Sequence, residues 1–163
     1  YPRFVEIKRR ANSVIIKSRA KIKHHNINPL ISGMIDLSDA DEALKQFMLY
    51  KNTINAGPVV QVRYMRKAFE DANSANNRVR VTFDRNLSYK VVSAPEVSLN
   101  GGGWQEIMPN RVVLEIKFTG YYPPWINQIV KSLSLRQQSV SKYATSVKKA
   151  CSLRFCAPEV PIC

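Results

Sequence analysis

Cations spaced every second residue are the chemically informative feature of this chain. Lys8, Lys17, Arg19, Arg66, Arg80 and Lys117 can each neutralise and hydrogen-bond phosphate oxygens, and two carboxylates, Glu6 and Glu115, stand among them. In 111–119, Val112, Leu114, Ile116 and Phe118 fall on one face of a strand, and Arg111, Glu115 and Lys117 fall on the other. The same alternation groups Glu6, Lys8 and Arg10, then Lys17 and Arg19, then Tyr64 and Arg66, with Arg63 pointing the opposite way. Arg78, Arg80, Thr82 and Asp84 line up against Val79, Val81 and Phe83. A charged face is ordinarily the solvent face. Like charges on neighbouring strands repel, however, and a face this cationic calls for an anionic ligand.

If these strands close around a common axis, the cations line a lumen that suits a triphosphate chain. Its sparse carboxylates would hold Mg²⁺ or Mn²⁺, hard ions that share oxygen ligands with phosphates. The chemistry such a layout serves is phosphoryl transfer, where positioning and charge stabilisation do most of the catalysis. No Ser-His-Asp or Cys-His arrangement competes, and His24-His25 reads as a solvated pair in a loop. Gly101-Gly102-Gly103 is not followed by a helix carrying a phosphate-loop Lys-Ser/Thr, so a nucleotide-binding glycine loop is disfavoured.

The elements that must hold these residues read as α+β. Stretches 4–10 and 14–19 flank Ala11-Asn12-Ser13 as a hairpin. Ser38 with Asp41 reads as a capping box for a helix over 39–54, closed by Asn55-Ala56-Gly57-Pro58. Stretches 59–69 and 78–84 form the next strand pair across a polar loop at 70–77. Stretch 87–92 reads as a further short strand, 96–110 as a loop and 111–119 as the strongest strand. Pro124 suits the first turn of a helix whose stripe of Trp125, Ile126, Ile129, Val130 and Leu133 reads as core-packing surface. A final helix is expected over 139–150, the last of three.

Bulk properties agree with one domain and a polyanionic partner. The chain has 163 residues and a net charge of +13. No stretch is long and apolar enough to cross a bilayer. Cys151, Cys156 and Cys163 match no common zinc spacing, and their odd number fits reduced thiols in a cytoplasmic, reducing compartment. The chain begins at Tyr1 rather than Met, and strand-like sequence starts at once, so it reads as a piece of a longer protein whose other parts could associate with a membrane.

An ordered set of segments carries a resemblance over about residues 3–148. It comprises Phe4-Val5-Glu6-Ile7-Lys8, Lys17-Ser18-Arg19, Tyr64-Met65-Arg66-Lys67-Ala68-Phe69, Arg78-Val79-Arg80-Val81-Thr82-Phe83-Asp84, Leu114-Glu115-Ile116-Lys117-Phe118 and Ser141-Lys142-Tyr143. Together they resemble the VTC domain of polyphosphate polymerases, in the triphosphate tunnel metalloenzyme superfamily. The resemblance implies an antiparallel β-barrel, or tunnel, with flanking helices. It implies transfer of the terminal phosphate of ATP to a growing polyphosphate chain, with ATP and polyphosphate as partners and Mn²⁺ or Mg²⁺ as cofactor. By motif, Lys8, Lys17, Arg19, Arg66, Arg80, Ser141 and Lys142 would contact phosphates, with Arg66, Arg80 and Lys142 catalytic and Glu115 the metal ligand. The family's opening strands are absent from this piece, Ser139 stands where the family is often basic, and residues 151–163 lie outside the resemblance.

Other readings share many of these residues. A tunnel-type triphosphatase would hydrolyse nucleoside triphosphates or tripolyphosphate with the same cations. A non-catalytic polyanion-binding module would need none of the carboxylates, and a nucleic-acid binder would expose aromatic rings for base stacking. Glu6 and Lys117 are possible site residues, Glu6 as an orienter of Lys8 or Lys17. Asp84 reads as a turn or pairing residue. Lys21, Lys23, Lys148 and Lys149 read as solvated charge.

Overall fold

Period-two alternation builds strands here, and every pair of them is antiparallel. The structure is a computed structural model and describes residues 2–11, 14–71, 77–94 and 98–153. Within them lie six strands in two sheets and four α-helices, an α+β fold. Neither sheet closes on itself among the described residues. The chain divides into two compact units, one on residues before Val60 with 92–94, the other on 60–91 and residues after 97.

In the first unit, β1 (Arg3–Ala11) pairs with β2 (Val14–Ile22), placing Glu6 opposite Arg19 and Lys8 opposite Lys17. The expected turn at 12–13 and the face of Arg10 lie outside the described residues. Val5, Ala20 and Ile22 point inward and meet Leu30 of α1 (Ile27–Ser32) and Leu44 and Met48 of α2 (Glu42–Thr53) in one buried cluster. The helix α1, preceded by a 3-10 turn at His24–Asn26, was not anticipated. It stops at Gly33, whose φ of 81° is a left-handed conformation that only glycine adopts cheaply.

The expected capping box does not form. Ser38 directs both its backbone N–H and its hydroxyl to Asp36 Oδ1, at 2.9 and 2.8 Å. The Asx turn thus consumes the serine, and α2 begins later, with Asp41 at its N-cap and no side-chain cap.

The second unit is built on β4 (Val79–Val91), which pairs with β3 (Val60–Glu70), β5 (Gln105–Glu106) and β6 (Val113–Phe118). The stretches expected as two strands, 78–84 and 87–92, are one. A bulge opposite Tyr64, with Asn86 at φ 53°, carries the ladder through the turn-like residues that suggested a break. The 96–110 loop contributes β5, held by the Tyr89 hydroxyl, which donates to Gln105 Oε1 at 2.8 Å.

Helix α3 spans Pro124–Ser132 and α4 spans Lys142–Ser152. Ala150 of α4 packs with Leu87, Tyr89 and Ile107. The α3 stripe is not core surface as expected. Ile126 is buried and Val130 half-buried, while Trp125, Ile129 and Leu133 are exposed.

The faces of the four-stranded sheet are used in an unusual sense. Thr82 and Asp84, on the polar face, are 3% and 0% exposed, whereas Phe69, Phe83 and Phe118 on the apolar face are exposed. Helix α4 meets the sheet on the polar side, through Lys142 and Asp84. A sheet that covers its polar side is organised around ionic contacts as well as oil. No helix among the described residues is long and apolar enough to cross a membrane.

Candidate functional site

Each unit holds one ionic cluster. On the hairpin, Lys8 and Lys17 sit directly opposite each other, a repulsive pair by itself. Glu6 resolves it. Its carboxylate takes Lys17 Nζ at 2.8 Å, Arg19 Nη2 at 2.7 Å and Lys8 Nζ at 3.3 Å. Desolvation pushes the Glu6 carboxyl upward, but hydrogen bonds from Lys17, Arg19 and Lys8 outweigh it and hold the group at about 2 instead of 4.5. Arg19 also lies over the Phe4 ring, 4.8 Å from its centre. The three cations remain substantially exposed and are gathered around a single counter-ion.

The second cluster occupies the polar face of β3, β4 and β6. Register sets Arg66 opposite Asp84, and Thr82 opposite Glu115 on the next strand. Arg66 grips Asp84 with two parallel bonds, Nε to Oδ1 at 2.6 Å and Nη2 to Oδ2 at 2.7 Å. Lys142, the first residue of α4, reaches Asp84 Oδ2 at 2.7 Å. Burial pushes the Asp84 carboxyl upward, and the bonds from Arg66 and Lys142 more than reverse this, so it titrates below the ordinary range. Its bond to Asp84 likewise raises the Arg66 guanidinium.

The Tyr64 ring is close to both cations, with Arg66 at 5.1 Å and Lys142 at 4.9 Å from its centre. Glu115 faces Lys117 at 3.2 Å and Arg66 at 3.7 Å, and accepts from the Thr82 hydroxyl at 3.4 Å. Arg80 is exposed and has no ion-pair partner among the described residues.

These side chains converge on a point. Arg66, Arg80, Thr82, Glu115 and Lys117 line a pocket of about 10 Å³, room for roughly one water-sized oxygen. Through Arg80 and Lys117 it shares its wall with an open cleft of about 540 Å³, which Arg78, Glu70 and Thr119 continue. A set of guanidinium and ammonium donors around one oxygen-sized space, opening to a groove that Ile116 and Phe118 also line, offers hydrogen bonds and charge to phosphate oxygens.

Comparison with protein families supplies the last observation: residues 2–151 match the VTC domain. The chain belongs to the VTC domain family. No curated protein matches it. VTC membership points to a polyphosphate-related function.

The residues expected at the site are distributed as follows. Lys8, Lys17 and Arg19 gather on the hairpin with Glu6; Arg66, Arg80, Glu115 and Lys117 gather on the four-stranded sheet, and Lys142 reaches Asp84 of that sheet from α4. Ser141 is the α4 N-cap, its Oγ accepting from the Ala144 N–H at 3.2 Å. Arg63 stays apart, as expected, stacked 4.0 Å over Trp104 and donating to the Leu99 carbonyl at 2.6 Å.

Asp84, read from the sequence as a turn or pairing residue, is a pairing residue, bonded to Arg66 and Lys142. Alternation placed Thr82, Asp84 and Tyr64 on the cationic face, but nothing in the sequence showed that Asp84 would be fully buried.

The described residues hold no group of three or more His, Cys, Asp or Glu side chains fit for a metal. The available hard donors are the part-exposed Glu115 carboxylate and the neighbouring Thr82 hydroxyl. That set fits Mg²⁺ or Mn²⁺, which take one or two carboxylates and draw their other oxygens from phosphates and water.

Proposed function

We propose that this VTC domain is part of a metal-dependent polyphosphate polymerase, which transfers the terminal phosphate of ATP to a growing chain inside a basic tunnel. The observation that carries the reading is the convergence of Arg66, Arg80 and Lys117 with Glu115 on one oxygen-sized pocket, beside Lys142. In the transfer, a terminal oxygen of the chain attacks the γ-phosphorus of ATP. The β–γ bridging bond breaks, its electron pair leaves with ADP, and the new P–O–P bond lengthens the chain by one unit.

The residues divide this work. Arg80, unpaired in the described structure, and Arg66, through the donors Asp84 leaves free, stabilise charge on the transferring group. Lys142, helped by Ser141, brings the helix side of the site to the phosphates. Lys8, Lys17 and Arg19 bind phosphates from the hairpin, with Glu6 as their common counter-ion. Glu115 would hold a Mn²⁺ or Mg²⁺ ion, which when bound would neutralise charge on the phosphate oxygens.

A passive nucleic-acid binder would stack bases on exposed rings, and Phe69, Phe83, Phe118 and Trp125, expected on apolar faces or in helix stripes, are exposed. The carboxylate among the cations, rather than the rings, is what favours the polymerase reading.

The test is incubation of the full-length protein with ATP and Mn²⁺, with products followed by ³¹P NMR. The polymerase reading predicts internal-phosphate resonances of growing chains together with ADP. Inorganic phosphate or pyrophosphate alone would replace it with the triphosphatase reading, and binding without turnover would leave a polyanion receptor.

A further inference from the structure

We infer that Asp84 is a positioning residue, an internal counter-ion that fixes Arg66 from the sheet and Lys142 from α4 in the orientation that receives a phosphate. The inference rests on the phosphate-binding reading of this face and adds a residue that touches no ligand itself.

Three observations carry it. Asp84 is completely buried, and both its oxygens are taken by cations at 2.6–2.7 Å. Glu115, by contrast, is part-exposed and its cation contacts are longer, at 3.2 and 3.7 Å. Asp84 therefore organises donors, and Glu115 is the carboxylate left open to a divalent ion. The bond pattern is also selective. Arg66 spends Nε and one Nη2 hydrogen on Asp84, which leaves the Nη1 hydrogens and the second Nη2 hydrogen uncommitted to Asp84, with Nη2 also 3.7 Å from Glu115 Oε2 on the wall of the pocket that Arg66 lines. Finally, Lys142 occupies the first residue of α4, the positive end of its own helix and the wrong end for a cation. Buried ion groups are seldom the cheapest way to seal a helix against a sheet, because desolvation offsets much of the attraction. Both costs make sense where the two cations are needed in fixed places.

The sign of one substitution separates positioning from bulk charge. If Asp84 only dampened the cationic field, Asp84→Asn would tighten anion binding. Positioning predicts the reverse. With inorganic tripolyphosphate as the probe and calorimetry at low salt, Asp84→Asn in the full-length protein should weaken binding about tenfold, as loss of ordered charged hydrogen bonds entails. Lys142→Met should weaken it similarly, and the double variant should be no weaker than the weaker single, because the two residues act as a unit. Asp84→Glu should restore affinity to within about threefold.

Tightened or unchanged binding in Asp84→Asn, or losses that multiply in the double variant, would overturn the inference. Should Asp84→Asn fail to fold, NMR of the Lys142 ammonium in the wild type decides. The bond to Asp84 must persist in the tripolyphosphate complex, and its displacement by ligand would overturn the inference equally. Wild-type protein that binds no tripolyphosphate would instead sink the functional reading on which this one stands.

Discussion

Single carboxylates set the behaviour of the cations around them. Glu6 holds three, and its carboxyl titrates at about 2 in the folded chain against 4.5 ordinarily. A lowered folded-state value means stability that is complete above pH 4.5 and is lost as pH falls toward 2, since the unfolded chain takes up the proton first. Glu6→Gln should therefore cost about 1 kcal/mol at neutral pH, the scale of an ion pair with exposed partners. It should also flatten the fall of melting temperature across that acid window; an unchanged slope would show that Glu6 is not held by its neighbours. Asp84 adds a loss of the same sign, because its carboxyl is also lowered. Glu115 is expected to behave differently. Glu115→Gln should reduce turnover at least ~100-fold while tripolyphosphate still binds, and equal loss of both would remove its role as metal ligand.

At the scale of elements, apolar clusters hold α1 and α2 to the hairpin, and α4 is held to the four-stranded sheet by Ala150 in an apolar cluster and by Lys142 on Asp84. Met48, on α2, is nearly fully buried against the hairpin, and Met48→Ala should destabilise the first unit by about 2–5 kcal/mol in denaturant unfolding. Ser141→Ala, which removes the α4 cap, should cost about 1 kcal/mol. Period-two patterning made the hairpin, β3 and β6 legible, along with the polar face on which Arg66, Arg80, Glu115 and Lys117 lie. What it could not convey was long-range pairing. The bulge at Asn86 makes one strand from two expected ones, and β5 exists only because Ser88 and Tyr89 offer it an edge. Ser38 was misjudged because Asp36, two residues away, competes for the same hydroxyl. The α3 stripe has helical spacing whether or not anything packs on it, so its exposure was invisible to pattern.

For the molecule as a whole, the net charge of +13 acts as a field that gathers polyanions before any residue makes specific contact. Binding of polyphosphate should therefore weaken steeply as salt rises from 50 to 200 mM, by roughly tenfold or more. The central claim is narrower than charge: one face of the four-stranded sheet receives the phosphates. Arg80 lies on that face, whereas Arg63 belongs to the same strand-rich unit but is committed to Trp104 and Leu99. The most direct measurement is calorimetric titration of the full-length protein and its Arg80→Ala and Arg63→Ala variants with inorganic tripolyphosphate. Both variants lose one positive charge, so the field falls equally. A loss of at least ~30-fold for Arg80→Ala, with Arg63→Ala within about threefold of wild type, is the predicted result. Equal effects of the two substitutions would contradict a site on the polar face.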